Sequence, residues 1–319
     1  MRIVSLLPSA TEIVCALGLR EQLVGVSHRC DYPPDIEGVA VVTRPSSEHE
    51  RAGAAGAADV ATTRSGAAAR ARARRVSPDD EFGPGELDMA ALLAARPDLV
   101  IVRDGGSGPG PRDLEAALIG ADFSPAIVSL DPISIEGIFH SITTLGAMTE
   151  AEDDAIELVE ALREEIGEIE QGVVIRQDAG LRPRRVAILE GLSPLTASGR
   201  WMPEQVRRAG GWDVLGREGE PASATSWAAI KEVDPEMLLL SPAGLSLFEA
   251  QAVWRKIERP EFWSDLEAVR RGQVFFVEPV YFCRPGPRVV EGVAMLAEII
   301  DPEGFIDTSP PNSWTPLFE

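Results

Sequence analysis

The chain has 319 residues, 45% of them hydrophobic, which allows two compact domains with proper cores. No apolar run approaches the ~18 residues that a membrane span requires, so membrane insertion is not expected. A formal net charge of -21 excludes a nucleic-acid partner, because phosphate binding needs a basic footprint. The 3 cysteines, Cys15, Cys30 and Cys283, are widely spaced with no CxxC pair, so neither a zinc ribbon nor a disulfide framework is indicated.

Along the chain, Arg2 to Leu6 reads as a buried strand. Ser9-Ala10-Thr11-Glu12 has the form of a capping box that opens a helix, and Gly18 closes it. Leu23 to Ser27 reads as a second strand, and this β–turn–α–β opening predicts an α/β lobe with a parallel sheet. Residues 50–80 form a low-complexity insertion dominated by Ala, Gly and Arg, expected to be loosely packed. A helix-then-strand unit follows at 87–102, and a similar one at 227–241 predicts a second lobe of like design.

Between them, Thr149-Glu150-Ala151-Glu152 reads as another capping box. Apolar residues at Ala155, Leu158, Val159, Leu162, Ile166, Ile169 and Val173 keep a helical period. The expectation is an α/β chain of two lobes with central parallel sheets, bridged by one long α-helix over about 149–173. The boundaries are 1–130 for the N-terminal lobe, 131–182 for a helical linker and 183–319 for the C-terminal lobe.

No basic start, apolar stretch and cleavage site stand at the beginning of the sequence, which predicts a cytoplasmic protein. A start trimmed of its leader would instead place it outside the cytoplasm.

The loop His28-Arg29-Cys30-Asp31-Tyr32 gathers reactive side chains at a strand end, and His28 and Cys30 are the weak metal-ligand candidates in it. All 6 tryptophans lie after residue 200. Trp201 and Trp227 sit at loop-to-helix junctions, and Tyr281, Phe282 and Arg284 follow the last buried strand. Aromatic faces cover apolar rings and Arg holds carboxylate or amide oxygens. Trp212, Trp254 and Trp263 read as packing residues. No phosphate loop, dinucleotide fingerprint or nucleophile elbow is found, so the chain is not read as an enzyme.

Several stretches together resemble one family. RIVSLLPSATEIVCALGL, LVGVSHRCDYPP, RPDLVIV, SPLTASGRWMPEQVRRAGGWDVLG, SWAAIKEVDPEMLLLSP and FWSDLEAVRRGQVFFVEPVYFCRPGPRVVEGVAMLAEII follow the order and spacing of cobalamin-binding and iron-siderophore-binding proteins of ABC transporters, in a branch without a signal segment. The resemblance implies two lobes with ligand in the cleft between them. It implies non-enzymatic binding of a corrinoid, cobalamin or a relative, with no tightly bound cofactor. An iron-siderophore or haem ligand, or a cytosolic regulatory protein on the same scaffold, is the alternative.

Ligands of open α/β sheets bind beyond the carboxyl ends of the strands. The expected ligand-binding set is therefore His28, Arg29, Tyr32, Glu190, Trp201, Trp227, Tyr281, Phe282 and Arg284. The positions at which the family clamps a corrin ring with aromatics hold Arg29, Pro84, Arg103 and Ala222. The positions of its permease-docking acids hold Ala90 and Ala228, with Asp88 and Glu232 nearby, so docking on an ABC permease is not expected.

Overall fold

A computed structural model describes residues 1–45, 85–104 and 108–317. The insertion expected at 50–80 lies outside the described residues, as do Pro84 and residues 105–107. The chain divides into two units, Met1–Asp131 and Pro132–Glu319.

The first unit opens with β1 (Ile3–Ser5), α1 (Pro8–Ala16) and β2 (Leu23–Val26). β3 (Thr43–Pro45) and β4 (Gly85–Leu87) then pair antiparallel. α2 (Met89–Ala95), β5 (Leu99–Val102), α3 (Pro111–Ala117) and β6 (Ala126–Ser129) complete it. The sheet runs β2-β1-β5-β6, with every pairing parallel, so all four strands end at one edge. β5 is buried at every residue, as an apolar run covered on both faces requires. Val4, Leu6, Val42, Leu92, Val100, Val102 and Leu114 share one core cluster. Gly25 stands where β2 passes this cluster, because a Cβ there would lie 2.7 Å from Val42 Cγ1.

The start of α1 departs from the expected capping box. Pro8 occupies the first turn, the cap is Leu7, and no side chain caps the end. Ser9, Thr11 and Glu12 are instead buried within the helix. Proline at the first helical position presets the helical φ and removes one of the unpaired amide donors of the first turn. Gly18 does take a positive φ of 73° just past the helix.

The second unit begins with α4 (Ile135–Met148) and α5 (Glu152–Asp178). The expected capping box at Thr149 is absent: Ala151 is the cap, and the Thr149 hydroxyl donates to the Leu145 carbonyl at 2.7 Å. Thr149 thus closes the helix before rather than opening the long one. α5 packs on α4 and on two later helices, α6 (Met202–Arg208) and the helix Val289–Ile300. Arg176 near its end grips Asp301 through two bonds, of 2.6 and 2.9 Å.

The sheet of this unit comprises β7 (Arg184–Leu192), β8 (Leu195–Ala197), β9 (Gly211–Asp213), β10 (Ser223–Ala224), β11 (Met237–Leu240), β12 (Val274–Val277) and β13 (Trp314–Pro316). Its order is β10-β8-β7-β11-β12-β13, with β9 also on β7. The centre is parallel, as expected, while β8, β10 and β13 add antiparallel pairs at the margins.

The helix-then-strand repeat inferred from sequence is present in both units. α2 precedes β5, and α7 (Trp227–Val233) precedes β11. Asp88 caps α2 by accepting from Ala91 N at 3.0 Å, and Ser226 caps α7 by accepting from Ala229 N at 3.2 Å. Each helix stops at a left-handed residue before proline, Arg96 at φ 41° and Asp234 at φ 39°. The following Pro97 and Pro235 disfavour a further helical turn. Asp88→Ala is expected to cost about 1 kcal/mol, and Ser226→Ala about the same. Urea unfolding of each variant against the parent checks this.

Candidate functional site

Each unit carries its own set of loops beyond the carboxyl ends of its parallel strands. In the first, β2 leads into Ser27–Tyr32. The His28 backbone N donates to Thr43 Oγ1 at 2.9 Å, and His28 Nδ1 lies 2.8 Å from the same oxygen. Both contacts are satisfied when the hydroxyl accepts from the backbone and donates to the ring. Burial and then the neighbouring Arg29 push the His28 pKa down, so the imidazole is neutral at physiological pH.

Cys30 faces elsewhere, with Sγ 3.1 Å from Thr11 Oγ1 and 3.3 Å from Ser27 Oγ. His28 and Cys30 therefore have different partners, and no cluster of three metal-ligating side chains occurs among the described residues. Arg29 is half-buried and Tyr32 is 41% exposed. Beyond β5, Arg103 Nε donates to Asp131 Oδ1 at 3.0 Å, and Asp104 N donates to Ser129 Oγ at 2.9 Å. The carboxyl edge of this unit thus offers a neutral imidazole, two guanidinium groups and one exposed phenol.

In the second unit the expected residues divide. Glu190 is buried and its Oε1 accepts from Gly199 N at 2.8 Å. Trp201 is buried and its indole N–H donates to the Phe282 carbonyl at 2.7 Å, while the Phe282 ring is fully enclosed. These three hold the loops in place and present almost no surface to a solute. Trp227 is half-buried and meets Trp254 and Trp263 edge-on, at 6.2 and 5.7 Å between ring centroids. Tyr281 and Arg284 are half-buried, and Arg288 lies 5.7 Å over the Tyr281 ring. Ala222 is packed backbone to backbone, since a Cβ on Gly199 would fall 2.3 Å from Ala222 N.

Two residues at this edge escaped the sequence reading. Glu278 follows β12 and accepts from Leu247 N at 3.3 Å. Its burial outweighs that hydrogen bond and the charges of Arg284 and Arg288, so its pKa is raised. Phe248, in the first turn of α8 (Leu247–Trp254), is 78% exposed. A capping box of Ser246 and Glu249 fixes that turn. Phe248 lies inside the Ser-x-x-Glu pattern Ser246–Glu249, and that pattern is the signal that marks the turn in sequence. A separate concavity of about 530 Å³ is lined by Trp212, Pro203 and Arg207. It lies beside β9, which pairs with the amino-terminal half of β7 and not with its carboxyl end.

Residues 3–281 match the family described as periplasmic binding protein. The chain belongs to that family. Among its relatives is an uncharacterized ABC transporter substrate-binding lipoprotein of Bacillus subtilis (strain 168), 25% identical over 308 residues, with 95% of this chain and 81% of the relative covered. The vitamin B12-binding protein of Pectobacterium atrosepticum is 25% identical over 291 residues, covering 91% and 84%. Among solved structures, the periplasmic vitamin B12 binding protein of Vibrio cholerae superposes with a TM-score of 0.63 at 22% identity, covering 94% and 96%. A periplasmic heme binding protein of Pseudomonas aeruginosa reaches 0.67 at 20% identity, covering 99% and 95%.

Family membership agrees with the expected α/β architecture and with solute binding as the family's business. It corrects the expected location. A cytoplasmic protein was inferred from the first residues alone, whereas the family is periplasmic and the Bacillus relative is a lipoprotein. The strand-like opening describes how the first unit folds and carries no information on compartment. Among the described residues no helix is long and apolar enough to cross a membrane.

Proposed function

We propose that this periplasmic binding protein takes up a corrinoid, a cobalamin-type ligand, and releases it chemically unchanged. The observation that carries the reading is the character of the carboxyl-edge loops. In the first unit they present Arg29 and Arg103 with the neutral His28 ring, and in the second, taken by itself, Arg284 and Arg288. Guanidinium and imidazole donors suit the many carboxamide oxygens around a corrin. Tyr281 and the exposed Phe248 and Tyr32 supply faces for its apolar body. The vitamin B12-binding relatives point the same way. His28, Arg29, Tyr32, Trp227, Tyr281 and Arg284 remain the proposed contacts from the sequence set, with Glu278, Arg288 and Phe248 added.

Haem is the second reading, favoured by structural neighbours at TM-scores of 0.67. Equilibrium dialysis with cyanocobalamin and, in parallel, haemin separates the two. Retention of cyanocobalamin at micromolar protein is expected. Retention of haemin alone would replace the corrinoid reading, and retention of neither at about hundredfold higher protein would sink both.

An ABC permease is the partner that the family implies. Ala90 and Ala228 are exposed at matching second positions of α2 and α7 and carry no charge. Asp88 is engaged in capping its helix. The docking surface of this chain therefore differs in charge at these two places, and other acids of the strongly negative surface would have to meet a basic permease rim.

A further inference from the structure

We propose that Cys15 and Cys30 form a reversible disulfide that pins the Ser27–Tyr32 loop to α1. Cys30 Sγ touches the helix already, 3.1 Å from Thr11 Oγ1. Thr11 and Cys15 are four residues apart on α1, so their side chains stand one above the other on the same face, with Cβ atoms about 6 Å apart. The segment after Cys30 continues along that face: Arg20, just past the helix, donates to the Asp35 carbonyl at 2.6 and 3.1 Å. Cys15 is thus bracketed by Cys30 and Asp35, and both act on its charge. A disulfide needs its Cα atoms within roughly 7 Å, so closure requires the loop to slide along α1 from Thr11 towards Cys15. Cys283 lies in the other unit, on the short helix Val280–Cys283.

The chemistry requires an oxidant, and a low-molecular-weight disulfide is sufficient. Burial, first among several causes, pushes the Cys15 thiol up to about 11, so it stays protonated at neutral pH. Cys30, half-buried on the loop after β2, enters first. Its thiolate attacks glutathione disulfide, forms a mixed disulfide and expels one glutathione thiolate. Cys15 then loses its proton to solvent and attacks the Cys30 sulfur, expelling the second glutathione. Two protein thiols are oxidised, one disulfide is reduced, and two molecules of reduced glutathione leave. The second step waits on Cys15 deprotonation, so closure should accelerate as pH rises towards that value. The linkage would hold His28, Arg29 and Tyr32 in one arrangement in an oxidising compartment, and let the loop move under reducing conditions.

The test uses the intact protein and glutathione disulfide as the probe. After incubation, excess reagent is removed, the chain is unfolded, free thiols are alkylated, and peptides are mapped without reduction. The expected result is a fall from 3 titratable thiols to a single one, a Cys15–Cys30 linked peptide, and an alkylated Cys283. Cys283→Ser should leave the linkage intact, and dithiothreitol should reverse it. Three alkylated cysteines, a link that includes Cys283, or a persistent glutathione adduct on Cys30 beside a free Cys15 would each overturn the proposal.

Discussion

Replacing Trp254 by alanine should lower the stability of the second unit by about 4 kcal/mol, the range for an enclosed tryptophan. Trp254 is 2% exposed at the end of α8 and packs on the sheet with Leu238, Leu240, Val274 and Phe276. Its ring centroid lies 5.3 Å from Trp263 and 6.3 Å from Phe276, and Trp227 meets it edge-on. Removing it opens a large hole between three aromatic neighbours that are rigid and cannot collapse into it. The indole N–H makes no hydrogen bond within the described structure, so Trp254→Phe removes volume without breaking a polar contact and should cost about 1–2 kcal/mol. Urea unfolding followed by tryptophan fluorescence gives both values. A loss under about 1 kcal/mol for the alanine variant would show that the cluster is not the core of this unit.

The second large effect belongs to Asp213, the last residue of β9. Its Oδ1 accepts from Leu215 N at 2.9 Å and Gly216 N at 2.7 Å, and its Oδ2 accepts a short bond from the Ser198 hydroxyl. Asp213→Ala strands three donors in the interior and should cost about 3 kcal/mol or more. Despite those bonds, burial raises the carboxyl pKa in the folded state. A folded pKa above the unfolded one means that folding binds a proton. The stabilising contribution is therefore complete below the unfolded value and is lost as pH climbs through the folded one. Asp213→Asn retains an acceptor for the two backbone donors and cannot ionise. The difference in unfolding free energy between parent and Asn variant should thus drift against the parent as pH rises from about 4 to neutrality. A pH-independent difference would contradict the assignment.

Much of the architecture could be read from residues. The all-apolar runs Leu99–Val102 and Met237–Leu240 specify strands buried on both faces, and the period from Ala155 to Ile166 specifies a long helix. The helix starts were read less well, because the Ser-x-x-Glu pattern at Ser9 and the Thr-x-x-Glu pattern at Thr149 competed with Pro8 and with the preceding helix for the same backbone. At the candidate site, strand ends placed His28, Arg29, Tyr32, Tyr281 and Arg284 on the expected edges. What sequence could not show is which aromatics turn inward. Trp201 and Phe282 sit near the same kind of strand-to-helix junction as Tyr281, and it takes their burial and the bond from the Trp201 indole to the Phe282 carbonyl to assign them to the interior. Glu278 and Phe248 were missed for the converse reason: a single acid after a strand looks like surface, and a single Phe in helical text looks like core.

The pairing of β13 with β12 bears on how the molecule is made. Trp314 lies opposite Val277 and its ring meets Phe275 at 5.5 Å, so a strand from the far end of the sequence completes the second sheet. The first sheet draws all its strands from before residue 130. During synthesis the first unit has its full set of partners while more than half of the chain is still to come. The second stays unsealed along β12 until residues 314–316 have emerged, so the two halves differ in how long each must be shielded from other nascent chains.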